Sequence, residues 1–335
     1  MHGHDIIVIG ASAGGVEALQ TLARRLPADL PAAVFVVQHI PAQSPSLLPT
    51  ILNRAGKLPA VHPQDKEPIH SGRIYVAPPD RHLLLDPGCI CMVRGPKENR
   101  SRPAIDPLFR TAARVYGPRV IGVVLTGALD DGTAGLQAIK QRGGIAVVQD
   151  PDEAMYPSMP RSAQAHVDVD YCLPMAEIGG LLAKLAKEPA PDEADYPVPY
   201  NMDIESQIAR ADMDLFNDSE VPGTPSPFSC PECHGTLWEL KDGEMVRYRC
   251  RVGHTFSAES MMAQHNESLE DTLWAALRAL EESAALARRM ARSSAERGHD
   301  RLRVQYEKKA AERERQANTL GPLLVNRDAS LSEAS

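Results

Sequence analysis

The sequence predicts an α/β fold in which helices cover both faces of a mainly parallel sheet. Short apolar runs, among them DIIVIG, AVFVVQ and VIGVVL, alternate with segments of helical periodicity along the first 188 residues. Each run is almost continuously apolar, as is typical of parallel strands buried on both faces. Apolar residues make up 43% of the chain and aromatic residues only 4%, so we expect a core of aliphatic side chains.

The predicted elements follow one another in order through this region. Longer buried strands are predicted at Asp5–Gly10, Ala33–Gln38, Val120–Leu125 and Ile145–Gln149. Short strands are predicted at Ile74–Ala77, Leu83–Asp86 and Cys89–Val93, the last two as a hairpin turning near Pro87 and Gly88. Helices are predicted, from apolar residues spaced three and four apart, at Val16–Leu26, Leu47–Ala55, Ile105–Tyr116, Gly132–Gln141 and Pro174–Lys187.

Composition divides the chain into five segments. The α/β domain is assigned to residues 1–188, and an acidic, proline-bearing linker follows at 189–227. Within the linker, Ile204–Leu215 is amphipathic and suited to docking on a domain, whereas Pro222–Pro227 is a plain connector. A cysteine-bearing module is predicted at 228–257, a helical hairpin at 258–322 with Gly298 near its turn, and a disordered tail at 323–335.

Charge and hydropathy exclude several classes of protein. The net charge of −8 argues against a general nucleic-acid binder, which needs a basic surface to displace phosphate counterions. The N-terminus, MHGHDIIVIG, lacks the pattern of a signal peptide, and no apolar run approaches the roughly 20 residues of a membrane helix. We therefore expect a soluble, cytoplasmic protein without direct membrane insertion. Disulfides are rare in that compartment, so the paired cysteines suggest metal binding or catalysis.

The segment IGASAGGV lies between a predicted strand and a predicted helix, and it admits three interpretations. As a dinucleotide-binding loop its glycines resemble G-x-G-x-x-G, but Ser12 replaces the middle glycine. The second strand also ends in Gln38 and His39, where that fingerprint expects an acidic residue for the ribose. As a structural turn, the small residues let the helix pack closely on the sheet, and Ser12 caps it.

The third interpretation is a nucleophile on a tight strand-to-helix turn. Residues 10–14 satisfy G-x-S-x-G, which exposes Ser12 at the carboxyl end of a strand. The helix N-terminus behind it offers N–H groups and a partial positive charge that can hold an oxyanion. A serine hydroxyl is a weak nucleophile at neutral pH, so this interpretation requires a nearby base.

Residues that can serve as base and acid follow two other predicted strands. His39 directly follows AVFVVQ, and Asp131 follows VIGVVL within LTGALDDG, with Asp130 as its rival. Taken singly, His39 is an ordinary loop histidine, and either aspartate is a helix cap before Gly132. Three residues of suitable type at the carboxyl ends of three strands nevertheless favour a Ser–His–Asp triad.

These motifs resemble the catalytic domain of the chemotaxis protein-glutamate methylesterases (CheB type). The resemblance rests on IGASAGG, VVQHIP and VLTGALDDG, with further matches at IYVAPPDRHLLL from Ile74 and SRPAIDPLFRTAA from Ser101, and it covers about Asp5–Lys187. It implies a three-layer α/β/α fold with Ser12 as nucleophile, His39 as general base and Asp131 as acid. Asp131 is favoured over Asp130 because the family aspartate directly precedes the glycine.

The resemblance also implies an activity. The enzyme would hydrolyse glutamate methyl esters on methyl-accepting chemotaxis receptors, and would deamidate glutamines there, without a catalytic cofactor. Backbone N–H groups of Ala13, Gly14 and Gly15, with Ala128, are expected to hold the oxyanion. Family members usually carry Thr, Met and Gly where this chain has Ala13, Ala128 and Leu129. Members usually begin with a receiver domain, whereas this chain is expected to stand alone.

The cysteine module predicts a metal site. Cys230 and Cys233 form C-x2-C, and Cys250 with His254 forms C-x3-H after a sixteen-residue spacer. This set and spacing fit tetrahedral zinc with four protein ligands, which indicates a structural role. Reduced, unligated cysteines are the alternative, and His234 is a less suitable ligand because it adjoins Cys233.

The sequence of the terminal helices is compatible with more than one packing partner. Leu269, Leu273, Trp274, Leu277 and Leu280 recur at helical spacing, which fits either a self-packed hairpin or a surface for a helical partner or a second copy. Two other functions also stay open: a regulatory or binding module on the same fold in a pathway other than chemotaxis, and an esterase for another substrate.

Overall fold

The computed structural model describes residues 3–210, 223–242 and 245–325. Strands of the α/β domain are β1 Ile6–Ala11, β2 Ala33–Gln38, β3 Ala60–Val61, β4 Ile74–Val76, β5 His82–Asp86, β6 Cys89–Val93, β7 Val120–Val124, β8 Ile145–Gln149 and β9 Tyr171–Leu173. Seven of them form one sheet in the order β3-β4-β2-β1-β7-β8-β9, and every pair in it is parallel. β5 and β6 form a separate antiparallel hairpin.

Helices cover both faces of this sheet. They are α1 Gly15–Arg25, α2 Leu48–Ala55, α3 Ile105–Tyr116, α4 Thr133–Gln141, α5 Ser158–His166 and α6 Met175–Leu185. Alternate residues of β1 enter opposite cores: Ile7 packs with α1, α2 and α6, and Val8 with α3, α4 and α5. Every residue of β1 and β2 is buried, which explains their unbroken apolar sequences. The predicted α/β fold with a mainly parallel sheet is confirmed.

The differences from the predicted elements lie in short or edge segments. β3, β9 and α5 were not predicted, because two or three residues, or a helix beginning SMPRS, carry too little periodicity. Part of the predicted linker is helical: α7, Tyr200–Ala209, buries Met202 and Ile208. The docking segment predicted at Ile204–Leu215 thus begins inside α7, and positions 211–222 lie outside the described residues.

The cysteine module is an antiparallel four-stranded sheet, called here the ribbon. Its strands are β10 Thr224–Ser229, β11 Thr236–Asp242, β12 Met245–Cys250 and β13 Thr255–Ser257. The plain connector predicted through Pro227 is therefore wrong from Thr224 onward, since β10 pairs with β11. Its small core contains Leu237, Phe256 and Met261 beside two of the cysteines.

The chain divides into two compact units after Met261. Helix α8, Ala258–Glu296, begins in the first unit and continues through the second, where a turn at Gly298, with φ of 72°, joins it to α9, Asp300–Val325. Arg288 pairs with Glu314 at 2.6 Å, and buried alanines, among them Ala287 and Ala310, allow close packing. Positions 326–335 of the predicted tail lie outside the described residues. Within the described ranges, no helix combines the length and apolar character that crossing a membrane requires.

Candidate active site

Ser12 directly follows β1, on a turn that leads into α1. Gly14 adopts φ of 72°, a left-handed conformation that glycine tolerates, and Gly15 begins the helix. The backbone N–H of Ser12 donates to the carbonyl of Thr126 at 3.0 Å, which ties the turn to the segment after β7. Ser12 itself stays partly exposed at the carboxyl edge of the sheet.

His39 follows β2 and lies between Ser12 and Asp131. Its Nδ1 is 3.2 Å from Ser12 Oγ, and its Nε2 is 2.7 Å from Asp131 Oδ2. An ionised carboxylate only accepts hydrogen bonds, so Nε2 carries the ring proton and Nδ1 is free to accept the serine proton. The structure thus brings together the three residues predicted as a triad.

The Asp131 carboxylate is buried and held from several sides. Oδ2 accepts from His39 and from the backbone N–H of Ile105 at 2.7 Å, and Oδ1 accepts from Asn99 Nδ2 at 3.0 Å and from the N–H of Asp106 at 3.2 Å. The two backbone donors belong to the first turn of α3, where the helix dipole favours an anion. Burial opposes ionisation, but these hydrogen bonds and His39 outweigh it and lower the pKa of Asp131.

Asp106 makes the reciprocal contact with α4. Its Oδ1 accepts from the N–H groups of Gly132 and Gly135 at 3.0 and 2.7 Å, so Asp131 supports the start of α3 while Asp106 supports the start of α4. Burial, and then the negative charge of Asp131, raise the pKa of Asp106 well above its ordinary value. Of these two neighbouring carboxyl groups, Asp131 is therefore the one that carries the charge beside His39.

Asp130, the rival acid, points elsewhere. Its Oδ1 accepts from Ser257 Oγ at 2.7 Å. Burial is the largest cause that raises its pKa to about 6; the hydrogen bond from Ser257 opposes this shift, and the charges of Glu259 and Asp131 add to it. The geometry therefore separates the two aspartates, since only Asp131 contacts His39.

Gln38 joins the nucleophile turn to the histidine loop. Its Nε2 donates to the carbonyl of Ser12 at 2.7 Å and to the carbonyl of His39 at 3.1 Å. Sequence reasoning passed over this residue as the last position of a strand. The only indication of a role for Gln38 in the sequence was its position directly before His39, the candidate base.

The residues predicted to hold an oxyanion divide into two groups. Gly15 does not fit, because its N–H donates to the carbonyl of Ser12 at 2.9 Å. In the described part of the chain, no acceptor takes the N–H groups of Ala13, Gly14 or Ala128. These three amides follow Ser12 or Gly127 and stay available to a substrate oxygen.

Packing around the nucleophile is tight on one side. A Cβ added to Gly127 would lie 2.8 Å from Ser12 Cβ and 2.0 Å from Met159 Sδ. Leu129, where the family motif has glycine, takes φ of 62°, which strains a residue with a side chain. This departure from the motif is therefore accommodated by the backbone at some cost.

A cleft of about 340 Å³ opens beside His39. Its lining combines the apolar loop after His39 with basic side chains, namely Ile40, Pro41, Ala42, Lys97, Arg100 and Arg102, together with Asp80 and Ser101. Arg102 pairs with Asp80 at 2.6 Å, and Lys97 with Glu232 of the ribbon at 2.9 Å. Two of the three basic side chains of the cleft are therefore already paired with carboxylates.

A second cluster of ligand atoms lies in the ribbon. The ligand atoms of Cys230, Cys233, Cys250 and His254 all lie within 4.8 Å of one another. Sγ of Cys233 and Cys250 are 3.7 Å apart, and His254 Nδ1 is 3.7 and 3.6 Å from Sγ of Cys230 and Cys250. Tetrahedral zinc, with bonds of about 2.3 Å to sulfur and about 2.0 Å to nitrogen, places such atoms about 3.8 and about 3.6 Å apart. His234, the alternative ligand, is not part of this described cluster.

Sequence reasoning missed the polar residues that support the triad. Asn99, Asp106, Ser257 and Ser260 come from three separate segments, and all are buried. Local sequence carries no sign of these contacts, because they arise where the ribbon meets the α/β domain. Only the excess of polar residues in KENRSRPAID hinted at a role for the first two.

Known proteins resemble the α/β part of this chain. The sequence profile of the CheB methylesterase family matches residues 7–182, more than half of the chain. A Leptospira interrogans protein named putative protein-glutamate methylesterase/protein-glutamine glutaminase is 44% identical over 183 residues, which cover 54% of this chain and 95% of that protein. A protein-glutamate methylesterase/protein-glutamine glutaminase of Hydrogenovibrio crunogenus is 35% identical over 189 residues, covering 55% of this chain and 50% of that protein.

A solved structure supports the same assignment. The crystal structure of the Thermotoga maritima CheB methylesterase catalytic domain matches with a TM-score of 0.53 and 33% identity, covering all of that chain and 55% of this one. The profile match ends at residue 182, ahead of α7 and the ribbon. Because the family profile matches more than half of the chain, this chain belongs to the CheB methylesterase family.

Proposed function

We propose that this chain hydrolyses the methyl esters of glutamate side chains, with Ser12 as nucleophile, His39 as general base and Asp131 as the acid that orients the base. The observation that carries the proposal is the continuous contact from Ser12 Oγ to His39 Nδ1 at 3.2 Å and from His39 Nε2 to Asp131 Oδ2 at 2.7 Å. The order of the two ring nitrogens is the reverse of that in the chymotrypsin-type triad, where Nε2 faces the serine. The roles are unchanged, because the nitrogen facing the hydroxyl is the unprotonated one.

In the first half of the reaction, Ser12 Oγ attacks the ester carbonyl carbon while His39 Nδ1 takes the hydroxyl proton. The carbonyl oxygen becomes an oxyanion. The available donors for it are the backbone N–H groups of Ala13, Gly14 and Ala128, which make no other hydrogen bond in the described residues. Each correctly placed donor of this kind contributes about 3 kcal/mol to the transition state. Collapse of the intermediate breaks the bond to the methoxy group, and His39 returns the proton to release methanol.

In the second half, water hydrolyses the glutamyl ester on Ser12. His39 Nδ1 removes one proton from the water while its oxygen attacks the acyl carbon. The acyl bond to Ser12 Oγ then breaks and His39 returns that proton to Oγ, and the glutamic acid product loses its remaining proton to solvent as it leaves as a carboxylate. Asp131 holds the ring tautomer and stabilises the imidazolium in both halves. A glutamine amide enters the same sequence with ammonia as the leaving group, which is the basis for proposing deamidation as a second activity.

The proposed substrates are methylated chemotaxis receptors. Two relatives bear names that join methylesterase and glutaminase activities. The cleft of about 340 Å³ beside His39 supports a small substrate side chain presented on a macromolecule rather than a long acyl chain. The thiolate ligands of the ribbon persist in a reducing compartment, so we place the activity in the cytoplasm.

The test compares methanol release from methylated receptor membranes with turnover of a small methyl ester. The parent chain should release methanol from the membranes, and Ser12→Ala should lower that rate at least about 10³-fold without loss of folded structure. Ser71→Ala, an exposed serine of the loop before β4, serves as the matched control and should keep full activity. Turnover of the small ester alone would instead assign another substrate, and no turnover of either would leave the fold as a regulatory or binding module.

For the ribbon we propose a structural Zn²⁺ held by Cys230, Cys233, Cys250 and His254. The interatomic distances support this ligand set, and four protein ligands leave no open position for catalysis. A ribbon with so small a core gains much of its folding free energy from such a metal. Metal analysis should find one zinc per chain, and Cys233→Ser should lose it.

Cys172→Ser is the matched control for the zinc assignment, since Cys172 and Cys233 are both exposed cysteines but only Cys233 belongs to the cluster. The control should retain zinc and its unfolding temperature. Equal zinc content in the two variants, or a parent chain that binds none, would contradict the metal site.

A further inference from the structure

The ribbon docks on the α/β domain next to the candidate active site. The N–H of Asn99 donates to the carbonyl of Thr255 in β13 at 2.8 Å, and the N–H of Thr255 donates to the carbonyl of Lys97 at 3.3 Å. Lys97 also pairs with Glu232, which lies between the first two cysteines of the cluster. The segment before α3 is therefore held by backbone and side-chain contacts from the ribbon.

The Asn99 side chain connects the ribbon to the catalytic acid. Its Nδ2 donates to Asp131 Oδ1 at 3.0 Å and to Asp106 Oδ2 at 2.8 Å. Its Oδ1 accepts from the N–H of Ser257 at 3.0 Å and from Ser260 Oγ at 3.1 Å. This orientation of the amide fits its neighbours, because a flip would turn its oxygen toward the ionised Asp131 carboxylate and its NH₂ toward the N–H of Ser257.

A second contact reaches the residue beside the catalytic acid. Ser257 Oγ donates to Asp130 Oδ1 at 2.7 Å and accepts from the N–H of Ser260 at 3.0 Å. The second bond caps the start of α8, and a cap alone would explain a serine at this position. The bond to Asp130 is not needed for the cap, and it ties the segment carrying Asp131 to the ribbon.

Each of these groups is buried, which increases the consequence of losing one. Ser257 is 3% exposed, Ser260 0% and Asn99 8%. Asp131 Oδ1 has two donors in the structure, Asn99 Nδ2 at 3.0 Å and the longer contact from the N–H of Asp106 at 3.2 Å. An amide free to rotate would leave Oδ1 of this buried carboxylate with only the longer bond from Asp106, and the orientation of the carboxylate toward His39 would be less well fixed.

We propose that the ribbon and the first turn of α8 are part of the active centre. The backbone N–H of Ser257 and the hydroxyl of Ser260 hold Asn99, Asn99 positions the Asp131 carboxylate that orients His39, and the hydroxyl of Ser257 holds the neighbouring Asp130. Asn99, Ser257 and Ser260 are positioning residues, since none of them touches the reacting atoms. The inference rests on the proposed esterase function. It adds that activity requires an intact ribbon, so loss of its zinc disables hydrolysis at a distance.

The experiment uses the full chain with the double substitution Ser257→Ala and Ser260→Ala. Hydrolysis of a small methyl ester should show kcat lowered about tenfold with KM within twofold of the parent, because orientation of the base is impaired and the cleft is not. Ser226→Ala is the matched control, as its hydroxyl donates within the ribbon to Leu237 and is not part of this network. The control should keep the parental kcat.

A kcat of the double variant within twofold of the parent would overturn the proposal. If the double variant fails to fold by circular dichroism, the single Ser260→Ala variant decides, since it removes only the hydroxyl donor to Asn99, and it should lower kcat about threefold. Removal of zinc from the parent by a chelator should lower kcat as the double variant does, and unchanged activity of a zinc-free, folded chain would contradict the inference.

The proposed function can fail separately from this inference. In that case the parent would show no turnover above Ser12→Ala. The low-field proton resonance expected of the hydrogen bond between His39 Nε2 and Asp131 then provides the readout. It should shift or broaden in the double variant and stay in place in Ser226→Ala, and an unchanged resonance in the double variant would overturn the positioning role.

Discussion

The side-chain amide of Gln38 donates to the main-chain carbonyl of Ser12 at 2.7 Å, although the two residues are 26 positions apart. The same amide donates to the carbonyl of His39 at 3.1 Å, so one buried group holds both the nucleophile turn and the loop of the base. The separation between Ser12 Oγ and His39 Nδ1 therefore depends on a residue that does no chemistry. Positioning by such contacts recurs throughout this site.

Gln38→Met tests this contact, because methionine has a similar length and shape and no donor. We expect kcat to fall about tenfold with little change in KM, since the two loops lose their shared hydrogen bonds and the serine–histidine geometry loosens. Steady-state kinetics on a small methyl ester measures the effect. Gln20→Met on α1 should behave as the parent. A Gln38→Met enzyme with parental kcat would show that the geometry of Ser12 and His39 does not depend on the hydrogen bonds of Gln38.

Gly127→Ala tests the packing behind the nucleophile. The new methyl group would lie 2.8 Å from Ser12 Cβ and 2.0 Å from Met159 Sδ, so Ser12, Met159 or both must move. A displacement of about 1 Å at Ser12 lowers kcat/KM about 100-fold. Gly180→Ala in α6 is the control, because a Cβ there meets nothing within 4 Å, and it should keep activity and gain about 0.5 to 1 kcal/mol of stability. Equal activity of the two variants would contradict this account.

Because Asp130 is buried, we expect the free energy of unfolding to depend on pH. Its pKa is raised from 3.8 to about 6, chiefly by burial, so the native state binds this proton more tightly than the unfolded chain. The parent should therefore lose stability as pH rises from about 4 to about 6, and stay lower above that range. Asp130→Asn removes this dependence and should be more stable than the parent at pH 8, by up to about 3 kcal/mol.

Urea unfolding between pH 4 and pH 8 measures the effect of Asp130→Asn. The difference from the parent should be smallest near pH 4, where the native chain is largely protonated at this position and the unfolded chain is only about half ionised. The exposed Asp168→Asn serves as control and should show no such trend. A difference that is constant across the range would assign the change to something other than ionisation of Asp130.

The backbone conformation of Leu129 leads us to expect an unusual order of stability among variants at this position. With φ of 62° it occupies a conformation that costs a residue with a Cβ about 1 to 2 kcal/mol. Leu129→Ala keeps the Cβ and its strain, whereas Leu129→Gly removes both. Thermal unfolding should therefore find the glycine variant more stable than the alanine variant by about 1 kcal/mol, which reverses the order expected in a helix or strand. An alanine variant as stable as the glycine variant would show that the turn is not strained.

Several parts of the fold were predictable from particular sequence patterns. β1 and β2 appear as unbroken apolar runs because both faces of the sheet are covered, and α1 and α3 carry apolar residues at helical spacing. β3 and β9 were not predicted, because edge strands of two or three residues are too short to show a hydrophobic periodicity in the sequence. α7 was not predicted, because its acidic surroundings in the sequence resemble a linker. Its Glu205 is nevertheless buried, and it pairs with Arg247 of the ribbon at 2.8 Å.

What the sequence determined by itself is the chemistry available at one edge of the sheet. A serine, a histidine and an aspartate each follow a buried parallel strand, and strand direction brings them to the same side. The spacing of Cys230, Cys233, Cys250 and His254 likewise defined a ligand set, because both halves of it are local in the chain.

The residue pattern left Asp130 and Asp131 as rivals, and only the family resemblance favoured Asp131. The tertiary structure decided which of the two faces His39 and which residues support it. Asp130 and Asp131 are adjacent, and only the backbone path after β7 turns one toward the histidine and the other toward Ser257. Asn99 joins Asp131 to Ser257 and Ser260, which lie 158 and 161 positions from Asn99 along the chain. Hydrogen bonds act over about 3 Å in space whatever the distance along the chain, so contacts of this kind leave no periodic trace in the sequence.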